Sequence, residues 1–141
     1  MKIVVAVDGS PESLAAVEKL IAKLGIFRDV PDLTLLTVHP RIPYRSATNW
    51  VGKEAVERYY KEENDAALAD SAALLTARGI AFRSEQRVGD PAEEIVKYAT
   101  HEQCDVIVMG THGHTALANL VMGSVATKVI ATSKTPVLLM K

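Results

Sequence analysis

Cys104-Asp-Val-Ile-Val-Met-Gly-Thr-His-Gly113, followed after nine residues by Gly123-Ser124-Val125, is the stretch on which the reading of this chain turns. The apolar run Cys104–Gly110 predicts a strand, the glycines a loop, and Gly123–Ser133 a helix. A strand that passes into a helix through a glycine loop is half of a parallel β-α-β unit. The same arrangement suits an anion. Glycine lets the backbone come close to a ligand, and the first amides of a helix lack intrahelical acceptors and favour negative charge.

The rest of the chain repeats this alternation. Lys2–Asp8 is apolar at every position from Ile3 to Val7, as expected of a strand covered on both faces. Ser10-Pro11-Glu12 predicts a helix start: a capping hydroxyl, proline at the first helical position, then an acid in the first turn. Leu14, Val17, Leu20, Ile21 and Leu24 follow at helical spacing, with Gly25 as the stop. Leu33–His39 reads as the second strand and Glu54–Arg78 as a long helix ending at Gly79. Ile80–Val88 reads as a third strand with Arg83, Glu85 and Arg87 on one face. Asp90-Pro91 opens a third helix, and Pro136–Met140 is a fifth strand.

This order predicts an α/β fold of three layers, Rossmann-like, with a five-stranded parallel sheet and helices on both faces. One domain is expected to span residues 1–141. The candidate chemistry lies after the first strand (Asp8, Gly9, Ser10) and after the fourth (Gly110 onward). Ligands of open α/β sheets sit beyond the carboxyl ends of strands where the order reverses. A strand order of 3-2-1-4-5 makes those two ends neighbours, whereas 2-1-3-4-5 separates them. Pro40–Lys53, containing Pro43, Tyr44 and the sole tryptophan Trp50, is expected to be irregular: either a functional loop or one folded over the sheet with Trp50 packed down.

Bulk composition narrows the function. A net charge of −1 provides no field for drawing nucleic acid or an anionic membrane. No run approaches the ~18 apolar residues of a membrane span, and Met1–Val7 is too short for a secretory leader. With Cys104 alone, no intrachain disulfide can form, which fits a reducing cytoplasm. At a strand start, Cys104 reads as a core thiol.

Neither Gly113 nor Gly123 is followed by the Lys-Ser/Thr pair of a Walker A loop; the nearest lysine is Lys128. The first turn, Asp8-Gly-Ser-Pro, lacks the G-x-G-x-x-G dinucleotide pattern. Backbone amides and the Ser124 hydroxyl must then do most of the holding, which suits retention better than hydrolysis. Asp8 on its own would read as a turn cap, and Ser124 as a helix cap. His112 and His114 read as solvent-exposed or phosphate-adjacent, since no cysteine or acidic pair completes a metal site around them. His39 is expected to line the pocket beside Val38, His101 to lie on a helix surface, and Tyr59 and Tyr60 to pack. No Ser-His-Asp or Cys-His set can be assembled.

The pattern G-x-x-G-x9-G-S resembles that of the universal stress protein family, specifically its ATP-binding branch. The likeness extends over the whole chain: Val4-Ala-Val-Asp8-Gly-Ser, Leu36-Thr-Val38-His, Val88-Gly89-Asp90-Pro91, the glycine loop, and Thr135-Pro-Val-Leu-Leu-Met140. The resemblance implies that Asp8 accepts hydrogen bonds from the adenosine part while Ala6 and Val7 line the base. It implies that Val38 meets the adenine through its backbone, that Met109 and Gly110 belong to the nucleotide site with Gly110 by the ribose, and that Gly113, Gly123, Ser124 and Val125 hold the phosphates. A magnesium or manganese ion on the phosphates, bound by them and by water more than by protein, is implied as well. Hydrogen bonds to charged groups contribute roughly 1.5–3 kcal/mol each. Four or five of them plus a buried base can reach the ~8 kcal/mol of micromolar binding.

In the 3-2-1-4-5 order the third and fifth strands are edges. Arg83, Glu85 and Arg87 blunt the third, while Pro136–Met140 has no charge before Lys141. A two-fold partner pairing that strand would cover it, and the resemblance implies the same homodimer. The expected function is that of a cytoplasmic, ATP-binding stress-response protein acting as a nucleotide-dependent regulatory module with an unknown protein partner, and without nucleic acid or membrane. An interaction dimer of the same fold without nucleotide, and a slow ATPase, stay open as alternatives. The missing phosphate lysine and the missing catalytic carboxylate pair argue against an enzyme.

Overall fold

Successive residues of β1 (Lys2–Ala6) turn to opposite faces of a sheet, and both faces are covered. Ile3 and Val5 join Val7, Val17, Leu20, Leu35, Leu68, Leu75 and Val108 in one buried cluster. Val4 joins Leu36, Ile95, Ala99, Ile107, Met109, Ala126 and Val129 in the other. This double burial is why the run from Ile3 to Val7 carries no polar residue.

The structure, a computed structural model, describes residues 1–112 and 122–141, and of residues 44–51 the backbone only. After β1 come α1 (Pro11–Lys23), β2 (Asp32–His39), α2 (Tyr44–Ala77), β3 (Phe82–Val88), α3 (Pro91–His101), β4 (Val106–Gly110), α4 (Ser124–Thr132) and β5 (Val137–Met140). The strands form one parallel sheet in the order β3-β2-β1-β4-β5. α1 and α2 supply the helical side of the first cluster, α3 and α4 that of the second. The three-layer α/β architecture and the strand order are those expected from the sequence. In register, Ala6 lies opposite both Leu36 and Met109, so the carboxyl ends of β1, β2 and β4 finish level. No helix among the described residues is long and apolar enough to cross a membrane.

The helix starts follow their sequence signals. The hydroxyl of Ser10 accepts from the Ser13 amide at 3.1 Å and the carboxylate of Asp90 from the Glu93 amide at 3.0 Å, each followed by proline at the first helical position. Three expectations are corrected. Gly25 does not end α1; it sits inside a 3-10 turn, Leu24–Ile26, that extends it. The third strand begins at Phe82 rather than Ile80, because the Ile80 amide is still bonded to the Leu75 carbonyl at 3.0 Å in the turn that closes α2. Pro40–Lys53 is not irregular throughout. From Tyr44 its backbone is helical, and the break comes at Gly52, whose φ of 76° joins two helical segments. Residues 44–51 contain neither proline nor glycine, so nothing in them resists a helix; the side chain of Trp50 lies outside the described residues.

Both sheet edges fall as expected. On β3, Arg83 pairs with Asp32 at 2.7 Å and Arg87 with Glu85 at 3.0 Å, which leaves a charged edge. β5 carries only apolar side chains. Leu138 and Met140 pack on the α1–α2 side, Val137 and Leu139 on the α3–α4 side.

Candidate functional site

Because β1, β2 and β4 end level, the segments that leave them diverge around a cavity of about 290 Å³ at the carboxyl edge of the sheet. Ala6, Val7 and Asp8 line it from β1 and its turn, Leu36, Val38 and Pro40 from β2, and Met109 to His112 from β4. Ser13 of α1, Pro91 and Ile95 of α3, and Gly123 to Ala126 at the start of α4 complete the wall. Of the residues singled out in the sequence, Ala6, Val7, Asp8, Val38, Met109, Gly110, Gly123, Ser124 and Val125 all face this one space. Gly113 and His114 lie outside the described residues.

The turn after β1 is built around Asp8. Its Oδ1 accepts from the Ser10 amide at 2.9 Å and from the Ser10 hydroxyl at 2.5 Å. The same serine caps α1, and Ser10 and Ser13 are both buried. Asp8 is thus a turn cap and a cavity residue at once. The polar atoms of this turn sit beside an otherwise apolar wall of Ala6, Leu36, Val38, Ile95 and Met109, the mixture typical of small-molecule sites.

At the other end, α4 begins without a side-chain cap. Gly123 is the cap residue, and Ser124 is the first helical residue and exposed. The expectation that Ser124 caps the helix is therefore corrected by one position. As a glycine, the cap residue offers no side-chain acceptor, and the first-turn amides have no intrahelical acceptors. The Gly123 amide donates to the Thr111 carbonyl at 2.7 Å, which ties the end of β4 to the start of α4.

Lys128 is turned to other work. Its ammonium meets Asp90 at 3.1 Å and Glu93 at 3.2 Å, and these hydrogen bonds, Asp90 first, raise its pKa above the usual value. The pairing holds the start of α3 against α4, each of which contributes a wall of the cavity. No lysine or arginine lines the cavity among the described residues.

The other histidines separate. His39 does not line the pocket, contrary to expectation. Val38 and His39 are neighbours on a strand and face opposite sides. The His39 ring lies 5.6 Å from that of Tyr59 and 5.4 Å from that of Tyr60, and its Nδ1 is 2.7 Å from the Pro40 carbonyl. Tyr60 also accepts the Ile42 amide at 2.8 Å and is half-buried, as expected of a packing residue, whereas Tyr59 is exposed and meets the His39 and Tyr60 rings at the surface. His101 is exposed and pairs with Glu102. His112 is at the cavity, its Nδ1 2.9 Å from the Thr111 hydroxyl. Among the described residues, no three His, Cys, Asp or Glu side chains gather as a metal site. Cys104 is half-buried, and burial pushes its thiol pKa up, away from reactivity.

Pro40, Pro91, Ile95 and Ala126 belong to the wall and were not singled out. A signal for them existed. In a parallel sheet every helix starts at the carboxyl edge, so Pro91 and the first turn of α3 must border the same space as the first turn of α4.

The chain matches the model of the Universal stress protein family over residues 1–141. It is 35% identical over 141 residues to universal stress protein MJ0531 of Methanocaldococcus jannaschii, a match covering 99% of this chain and 81% of that protein. The solved structure of MJ0577, from the same organism, superposes with a TM-score of 0.83 at 30% identity, covering 99% of this chain and 94% of that one. A universal stress protein solved in complex with cAMP superposes with a TM-score of 0.61 at 27% identity, covering 100% of this chain and 96% of that one.

Proposed function

The chain belongs to the universal stress protein family, and on that premise we propose that it is a nucleotide-binding member that holds ATP in the carboxyl-edge cavity as a regulatory ligand. One observation carries this reading. Residues from β1, β2, β4 and α4, as far apart in the chain as Ala6 and Ala126, converge on a single cavity with an apolar wall at one end and a helix start without a side-chain cap at the other. The first suits a purine and the second a phosphate chain. The relative in complex with cAMP supports an adenine nucleotide as the class of ligand.

In this reading the adenine lies against Ala6, Val7, Val38 and Met109. Asp8, its Oδ1 oriented by Ser10, faces the adenosine part, and Gly110 the ribose. The amides of Ser124 and Val125 and the Ser124 hydroxyl hold phosphate oxygens with Gly123, and Gly113 belongs with them. The donor set among the described residues offers no metal cage, which fits a magnesium or manganese ion held by phosphates and water. Lys128 is committed to Asp90 and Glu93, so the site retains nucleotide rather than polarising a γ-phosphate for cleavage. Retained ATP would stabilise one conformation of the protein for a partner to recognise; at a hundred times its dissociation constant a ligand contributes about 2.7 kcal/mol. A cytoplasmic location fits an ATP ligand and a lone thiol. The uncharged edge of β5, Pro136–Met140, supports a homodimer formed by two-fold strand pairing.

The test is calorimetric titration of the purified protein with magnesium ATP, preceded by denaturing a sample and identifying any released nucleotide by mass. Micromolar binding, or near-stoichiometric ATP or ADP, is the expected result. No nucleotide and no heat would leave an interaction dimer of the same fold as the reading.

A further inference from the structure

We propose that His112 supplies the positive charge of the phosphate end of this cavity, so that ATP affinity rises on acidification; the inference rests on the nucleotide reading above. Phosphate sites ordinarily carry lysine or arginine. Here the described lining residues include two ionisable side chains, Asp8 and His112, and no lysine or arginine. Asp8 sets a negative charge against a bound polyphosphate. His112 is the group that offsets it.

His112 lines the cavity together with Gly123, Ser124 and Val125, the residues at the start of α4. His112 directly follows Thr111, whose carbonyl takes the Gly123 amide at 2.7 Å, so residue 112 borders the first turn of α4. The Thr111 hydroxyl lies 2.9 Å from Nδ1 of the ring. A hydroxyl both donates and accepts. It can donate to Nδ1 of one neutral tautomer and accept from Nδ1–H of the charged ring, so the anchor survives the change of charge.

Among the described residues, the charged groups on the elements that border the cavity include these. The β1–α1 turn contributes Asp8. The first turn of α1 contributes Glu12, whose carbonyl approaches Gly110. α3 faces the cavity with Pro91 and Ile95, and α4 with Gly123 to Ala126, all uncharged. Asp90, Glu93 and Lys128 satisfy one another beside these walls. Histidine is the side chain that changes charge between about pH 5 and 8, so a site built this way gains a cation as pH falls.

The experiment measures dissociation constants for magnesium ATP and for adenosine at about pH 5.5 and about pH 8, with native protein, His112→Gln and His112→Lys. The titration of the nucleotide itself is common to all three proteins and cancels in their ratio. The native-to-Gln affinity ratio for ATP is expected to rise about tenfold on acidification, the size of one charge-assisted hydrogen bond. For adenosine, which has no phosphate, the ratio stays flat. His112→Lys, with a fixed charge, should bind ATP tightly at the higher pH and gain nothing at the lower, and thermal melts of each protein report folding. ATP binding with a ratio that does not change with pH overturns the proposal, as does an equal change for adenosine. Native protein that binds no ATP at either pH overturns the nucleotide reading itself, a different and recognisable result.

Discussion

The backbone amide of Gly123 donates to the carbonyl of Thr111 across a gap of twelve residues, at 2.7 Å. This bond fastens the helix that would hold phosphate to the strand end that would hold ribose, so the two halves of the candidate site share one frame. A rigid frame matters because hydrogen bonds to a ligand repay their cost only when the donors are already in place.

Gly123 itself has φ −70° and ψ 160°, which any residue can adopt. Gly123→Val should therefore leave the fold in place while putting a branched side chain into the cavity that the residue lines. ATP affinity is expected to fall at least about tenfold, with unfolding free energy changed by less than about 1 kcal/mol. Calorimetry and a urea melt on the same preparation check both halves. Undiminished ATP affinity would remove the loop from the binding site.

Asp8 does two jobs that separate chemically. Its Oδ1 takes both the amide and the hydroxyl of buried Ser10. Asp8→Asn keeps an oxygen there and should cost less than about 0.5 kcal/mol. Asp8→Ala leaves both donors without that acceptor and should cost about 1–2 kcal/mol. Urea unfolding of the two variants would show the contrast; equal losses would mean that the charge, not the acceptor, holds the turn.

Much of this was legible in the sequence. The runs Ile3–Val7 and Val106–Met109 are apolar throughout because both faces of the sheet are covered, and that pattern gave the parallel sheet. The glycine spacing pointed to the cavity because glycine positions are backbone positions, independent of side-chain packing. What stayed hidden depended on side-chain direction or on distant partners. His39 was grouped with Val38 although strand geometry sends adjacent residues to opposite faces. The helix start at Gly123-Ser124 could be placed only to within a residue, since both types serve as caps. The commitment of Lys128 to Asp90 and Glu93 spans some thirty-five residues and needs the packing of α3 on α4, which no local pattern encodes.

Stability should respond to acid through that same contact. The Glu93 amide, and after it Lys128, hold the Asp90 carboxyl below its usual pKa of 3.8. A carboxyl whose pKa falls on folding contributes stability above its unfolded value and loses it as pH drops through the folded value. Asp90→Asn keeps an acceptor for the amide and discards the charge. The native protein should be the more stable of the two near neutral pH, by a small margin because the pair is exposed. That margin should vanish as the pH falls below 3.8, and added salt should narrow it. Melting curves of the pair from neutral pH downward test this; a margin that persists in strong acid would mean that Asp90 acts through shape alone.

Gly9 carries the sharpest steric prediction. Its φ is 78°, and a Cβ built on it would lie 2.9 Å from Cα of Ala67, a backbone atom of α2 that cannot swing aside. The left-handed conformation costs a side chain about 1–2 kcal/mol, and relieving the overlap requires a backbone shift of about 1–3 kcal/mol. Gly9→Ala should thus destabilise the protein by about 2–5 kcal/mol. Gly25→Ala, where nothing lies within 4 Å and φ is ordinary, should be neutral or slightly stabilising by stiffening the unfolded chain. Urea unfolding of both variants, with the denaturant slope unchanged, separates the close approach from any general effect of replacing glycine. A mild Gly9→Ala would mean that α2 can slide away from the turn. The turn that presents Asp8 would then be adjustable rather than fixed, and the case for a preformed adenosine site would weaken with it.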